Sequence, residues 1–303
     1  MSDLAGGRAI TIYGQQEVVK DLIAARLGSG GDIRFEVEDV AVNGIDGDTP
    51  TIRYRRDADE HVIECDFIAG CDGFHGVSRG AIPPGVLTEY HHEYPFAWLG
   101  ILAAVAPSTE ELIYARHDLG FALHSLRSPS ISRLYIQVDP SEDIESWSDD
   151  RIWEQLRIRL AAGDWELHDG PVIEKNIALM RSFVVEPMQF GRLFLAGDAA
   201  HIVPATGAKG LNLAVADVYV LSRAMTEWYR TGSRDMLDAY SATCLRRVWR
   251  AQDFSNYMSA MLHRYPGDDP FRDRLQLARL ETLTVSKPAA QALATNYTGL
   301  PLP

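Results

Sequence analysis

Residues 191–213 read G-R-L-F-L-A-G-D-A-A-H-I-V-P-A-T-G-A-K-G-L-N-L, and no other stretch constrains the fold as tightly. An apolar strand over Leu193–Ala196 runs into Gly197-Asp198. A loop of small residues follows, and an apolar helix is predicted from Gly210 to about Tyr229. That order places backbone N–H groups and a positive dipole end at the carboxyl edge of a sheet, where α/β proteins bind nucleotides. Asp198 is suited to accept hydrogen bonds from ribose-type hydroxyls. The first-turn amides of Leu211 and Asn212 suit an anion, and Lys209 adds a cation beside them. A plain helix cap is the competing reading.

The remaining pattern has two characters. A short strand over Ile10–Tyr13 and a helix over Gln16–Leu27, ended by Gly28, are predicted first. Strands over Ile33–Val42, Pro50–Tyr54 and Val62–Phe67 follow, the last entering a second glycine turn, Gly70-Cys71-Asp72-Gly73. From Tyr94 the chain becomes β-rich. Phe96–Val105, Glu111–Ala115, Gly120–Leu126 and Ile131–Val138, punctuated by turn residues, predict one antiparallel sheet. Ser148 before Asp149-Asp150 predicts an N-capped helix through Leu160. From Asp235 onward the pattern is mostly helical, with a packing seam of Trp249, Phe254, Tyr257, Met258 and Met261, and Tyr297–Pro301 reads as a turn.

A net charge of −13 argues against nucleic acid and anionic membrane as partners, since both demand a basic face. The apolar run Pro95–Val105 is too short to span a bilayer. Cys65, Cys71 and Cys244 have neither metal-ligand spacing nor an even disulfide count, which points to a reducing cytoplasm, and no secretory leader is visible at Met1–Ala5. No metal is expected. The triplet His91-His92-Glu93 lies on a predicted extended segment, where neighbours point to opposite faces.

In the middle sheet, Ser125 and Arg127 stand two apart and are predicted to face the same side. A hydroxyl and a guanidinium fork together suit a carboxylate. Tyr114, Tyr135 and Tyr297, taken alone, read as packing residues.

The glycine-aspartate segment 191–213 resembles the second FAD motif of the flavoprotein aromatic hydroxylases, in particular the 4-hydroxybenzoate 3-monooxygenase group. Asp72–Arg79, D-G-F-H-G-V-S-R, resembles the D-G motif of that family, and Tyr13-Gly14-Gln15 resembles an element whose Gln contacts FAD. The similarity runs from about Ala9 to the Asn296-Tyr297 end. It implies FAD held by Gln15, Asp72, Asp198, Lys209, Leu211 and Asn212, and NADPH held by His75, Arg79 and Arg181. It implies a benzoate carboxylate bound by Ser125, Leu126, Arg127 and Tyr135, and a phenol deprotonated through Tyr114 and Tyr297. The implied reaction, with O2, converts 4-hydroxybenzoate to 3,4-dihydroxybenzoate.

Two departures stand out. No G-x-G-x-x-G precedes Ala9, and the family's relay histidine has no counterpart, so the resemblance describes an N-terminally truncated chain. Ala205 stands where the family carries a Pro whose carbonyl lies beside the substrate. A non-catalytic remnant that binds an aromatic acid or a partner chain, and the same chemistry on another phenol, remain as alternatives. The expected fold is mixed α/β. An incomplete FAD-binding, Rossmann-like domain (residues 9–88 and 178–228) is interrupted by an antiparallel substrate sheet (89–177). A helical C-terminal region (229–303) follows, and a homodimer is expected.

Overall fold

The structure is a computed structural model and describes residues 2–267 and 269–302. Its strands are β1 (Glu38–Asn43), β2 (Thr51–Arg56), β3 (Asp59–Glu64), β4 (Ile68–Gly70), β5 (Thr88–Ala103), β6 (Ile113–Ala115), β7 (Ala122–Ser128), β8 (Ile131–Val138), β9 (Val172–Glu186), β10 (Gln189–Phe190), β11 (Leu193–Leu195) and β12 (His201–Ile202). The helices are α1 (Gln15–Gly28), α2 (Asp149–Leu160), α3 (Gly210–Thr231), α4 (Asp235–Asp238), α5 (Tyr240–Leu262), α6 (Pro270–Val285) and α7 (Lys287–Thr298). The class is mixed α/β. Contacts gather the chain into two units. One contains the stretch ending at Gly14, Glu93–Met180 and Asn256–Pro301, and the other is mainly Gln15–His92 with Arg181–Ser255. The expected helical C-terminal region is thus divided at Asn256, within α5.

In the first unit β5, β8, β7 and β6 are antiparallel neighbours. Along β8, burial alternates strictly, so Leu134, Ile136 and Val138 line one face and Arg133, Tyr135 and Gln137 the other. The buried face packs on α2 through Ile152, Trp153, Leu156 and Leu160. Each such aliphatic side chain, taken fully from water, contributes about 1.5–3 kcal/mol. Helix α2 starts where its cap requires, with the Ser148 hydroxyl oxygen accepting from Arg151 N–H at 3.3 Å.

In the second unit the short parallel pair β4–β11 sits in an apolar core with Phe194, Leu195, Ile68 and Tyr240. Leu195 is registered with Gly70, so both strands end at one edge. Strands β1, β2 and β3 form a separate antiparallel meander.

Several expectations are corrected. Ile10–Tyr13 has no ladder, and its apolar side chains are exposed, because alternation makes a strand only beside a bonding neighbour. The strand expected from Ile33 begins only at Glu38. Strand β5 begins at Thr88 instead of Phe96, its first half being polar and exposed, and β9 carried too little alternation to be foreseen. Tyr297, expected in a turn, lies on α7, which Ser286 caps and Gly299 follows. Of the packing seam, Trp249 and Tyr257 stay 40% and 36% exposed, while Phe254, Met258 and Met261 are buried.

Candidate functional site

In the second unit the parallel register of β4 and β11 brings two acidic glycine turns to the same sheet edge. Ala196 N–H donates to Gly70 O at 3.0 Å, directly behind them. The chain turns at Gly197 with φ +62°, and a Cβ there would meet the Ala214 Cβ at 3.0 Å, so both conformation and space favour glycine. Asp198 follows, exposed. Asp72 is partly committed, since its Oδ2 accepts from Ser78 N–H at 2.8 Å within its own loop. The Arg79 guanidinium joins the turns, donating to Phe74 O at 2.7 Å and Ala199 O at 3.0 Å.

Helix α3 presents its first turn uncapped by any side chain, so the amides of Leu211 and Asn212 lack intrahelical acceptors. Both residues are exposed, as is Ala205 in the preceding 3₁₀ turn. Lys209, expected as a cation beside these amides, is 9% exposed with its ammonium 5.3 Å from the centre of the Phe254 ring. Burial, reinforced by Arg247, pushes its pKa down to about 8. Gln15 opens α1 and is exposed.

His75, Arg79 and Arg181 converge on Phe74, a residue sequence reasoning passed over. The Arg181 and Arg79 guanidiniums lie 4.0 and 4.8 Å from its ring centre, and the His75 ring meets it edge-on at 5.0 Å. Also missed was a buried pair behind Gly197. Asp217 Oδ2 lies 2.6 Å from His201 Nε2 and accepts from Gly197 N–H at 3.0 Å. A signal existed: Asp217 falls within the buried stripe Leu213, Leu221 and Ala224 of α3, where a carboxylate requires partners.

The first unit carries the other group. Cross-strand register aligns Tyr114 with Leu123 and Leu123 with Tyr135, and Ser125 lies two residues beyond Leu123. Tyr114, Ser125 and Tyr135 therefore share one face. Arg133 stands opposite Ser125 on that face and donates through Nε to Tyr135 Oη at 3.3 Å, a second guanidinium the sequence reading missed. Arg127 falls at a β-bulge between Leu126 and Ser128, so its direction does not follow from alternation. Its guanidinium lies flat over Gly14, where an added Cβ would sit 2.9 Å from Cζ and 3.1 Å from each Nη. The Ser125 hydroxyl donates to Leu126 O at 3.3 Å.

Tyr114 Oη and Tyr297 Oη are 2.7 Å apart, with the rings edge to face. Burial raises both phenol pKa values; for Tyr114 the neighbouring Tyr297 adds to the rise, whereas for Tyr297 the hydrogen bond with Tyr114 opposes it. The pair borders an apolar cavity of about 370 Å³ that also includes Leu112, Met258, Glu110 and Glu111. Among the described residues no cluster of His, Cys, Asp or Glu could hold a metal ion, and no helix is long and apolar enough to cross a membrane.

A parallel-strand edge with two acidic turns and an uncapped helix mouth has the layout of a nucleotide-binding α/β edge. The family described as FAD binding domain matches residues 1–255. The chain is 48% identical over 302 residues to p-hydroxybenzoate hydroxylase of Acinetobacter baylyi, covering 99% of this chain and 74% of that one. It is 24% identical over 245 residues to aklavinone 12-hydroxylase DnrF of Streptomyces peucetius subsp. caesius, covering 75% of this chain and 48% of that one. The structure of p-nitrophenol 4-monooxygenase PnpA from Pseudomonas putida DLL-E4 shares the fold, with TM-score 0.76 and 20% identity over 94% of this chain and 73% of that one. The chain belongs to the flavoprotein aromatic hydroxylases, enzymes that bind FAD.

The second unit's donor set fits that cofactor. Asp198 offers acceptors for ribityl hydroxyls, and the α3 amides offer donors to an anionic ring edge.

Proposed function

We propose that this chain hydroxylates 4-hydroxybenzoate to 3,4-dihydroxybenzoate, using NADPH and O2. Asp198, Leu211, Asn212 and Lys209 would hold FAD, with Gln15 and Asp72 as further contacts; FAD, when bound, supplies the redox chemistry. His75, Arg79 and Arg181, arrayed on Phe74, suit the phosphates of NADPH. Ser125, Leu126, Arg127 and Tyr135 would receive the substrate carboxylate, and Ala205 is the further substrate contact that the resemblance implies.

The observation that carries this reading is the Tyr114–Tyr297 hydrogen bond at 2.7 Å. Both phenols are held neutral by burial, so neither stores a proton charge. As Tyr114 takes the substrate's phenolic proton, its own passes to Tyr297 and the Tyr297 proton moves outward. The substrate is left as phenolate, a far better nucleophile at its ortho carbon. The same reading carries a homodimer in a reducing cytoplasm, consistent with three free cysteines.

The test supplies FAD, NADPH and 4-hydroxybenzoate and follows 3,4-dihydroxybenzoate by chromatography. Tyr114→Phe and Tyr297→Phe should each lower kcat about a hundredfold, with FAD affinity unchanged. No product from the unaltered chain sinks the proposal.

A further inference from the structure

Arg159 lies in the last turn of α2 and is only 8% exposed. Its Nη1 donates to Gln137 O at 2.8 Å and Phe121 O at 3.4 Å, and its Nη2 to Gln155 Oε1 at 3.2 Å. All three partners are neutral. Nε is buried and unpartnered, and no carboxylate pairs with the side chain among the described residues. A guanidinium does not escape this position by losing its proton; burial and the nearby Arg151 lower its pKa only to about 10. The carbonyl end of α2 offsets at most about half a unit of charge. A buried cation without a counter-charge is costly, and proteins resolve the cost by pairing it.

The surroundings say where the missing charge would come from. Arg159 lines a cavity of about 440 Å³ within the same unit, together with Arg151 and Arg264. Two acids also line it, and both are engaged. Glu142 Oε1 accepts from Trp147 Nε1 at 3.1 Å and Arg151 Nη2 at 3.0 Å. Asp139 Oδ1 accepts from Ser141 N–H at 2.9 Å and Ser141 Oγ at 2.6 Å. Arg151 is paired with Glu142 and Arg264 Nη1 donates to Asp118 O at 2.6 Å, whereas Arg159 has only the neutral partners named above. Trp147, Phe96 and Tyr265 supply the aromatic part of its wall.

We propose that this cavity is a binding site for a small oxyanion, carboxylate or phosphate, seated against the guanidiniums of Arg159 and Arg264. It is built in the sheet-and-α2 unit and uses no residue assigned above to FAD, NADPH or the hydroxylated substrate. Its occupant neutralises Arg159 and fastens the end of α2 to the strand ends at Phe121 and Gln137.

The test uses inorganic phosphate as probe and follows the thermal midpoint of the whole chain at constant ionic strength balanced with chloride. Phosphate should raise Tm saturably, by about 3 °C at ten times the half-saturating concentration. Arg159→Met should abolish the saturable rise, and Arg264→Ala should raise the half-saturating concentration at least tenfold. Arg264→Ala, which leaves the α2 carbonyl contacts intact, decides the matter should Arg159→Met not fold. An equal rise with chloride, or unchanged half-saturation in Arg264→Ala, overturns the site. So does a rise lost instead in Arg79→Ala, which assigns phosphate to the other unit.

Discussion

His201 Nε2 and Asp217 Oδ2 are 2.6 Å apart, both side chains almost fully buried, and the same carboxylate oxygen holds Gly197 N–H. Asp217 stands two turns into α3, so one carboxylate ties the Asp198 turn to the helix whose first turn we propose as the other half of the FAD site. Asp217→Asn preserves shape and weakens the charge-assisted bonds. FAD affinity should fall about ten- to a hundredfold in a flavin fluorescence titration, with 4-hydroxybenzoate affinity unchanged. Equal FAD affinity in variant and parent would remove Asp217 from the positioning role.

Carboxylate recognition is tested at Ser125 and Arg127. Arg127→Ala should raise KM for 4-hydroxybenzoate about ten- to a hundredfold, and Ser125→Ala by less, reflecting charged and neutral hydrogen bonds. Arg133→Ala separates the newly seen guanidinium from Arg127. Steady-state kinetics with unchanged KM in all three would reject a carboxylate on this face.

Lys209 gives a pH prediction with a defined sign. Its folded pKa of about 8 lies below the ordinary lysine value, so the folded chain holds fewer protons between the two values than the unfolded chain. Stability therefore rises as pH increases from about 8 toward 10.5, and the burial penalty is fully present below 8. Lys209→Met should stabilise the cofactor-free protein at pH 7 by about 1–3 kcal/mol in urea titrations and remove this slope, while weakening FAD.

His263 sets an acid limit. Trp98 Nε1 donates to His263 Nε2 at 2.7 Å, and Nδ1 lies 3.2 Å from Ser259 O, so the neutral ring carries its proton on Nδ1. Burial pushes its pKa down to about 3. Below pH 6.5 the unfolded chain takes a proton that the folded chain refuses, so stability falls as pH drops, by up to about 1.4 kcal/mol per pH unit from this group. His263→Phe should flatten that decline by about one proton in urea midpoints measured from pH 6.5 to 4. It should also cost about 1–3 kcal/mol at pH 7, from stranding Trp98 Nε1.

The legibility of the chain follows the range of its interactions. Strand β8 and helix α3 were readable because alternation and a glycine turn are local signals, and the observed bounds Ile131–Val138 and Gly210–Thr231 sit close to the reading. The face shared by Tyr114, Ser125 and Tyr135 needed register, which no single strand reveals. The Arg127 bulge carries no glycine to announce it. Trp98 and His263 meet across 165 positions, and Phe74 became visible only once Arg79 and Arg181 were placed. Asp217 was readable in principle as a charge in an apolar stripe.

Gly14 has a consequence of its own. The plane of the Arg127 side chain rests on its backbone, and the residues just before it, Ala9 to Tyr13, are exposed and lie outside every helix and strand. Whatever anion recruits that plane also pulls at the anchor of this exposed segment. Protease nicking between Ala9 and Tyr13 thus becomes a gauge of ligand loading, legible without watching the reaction at all.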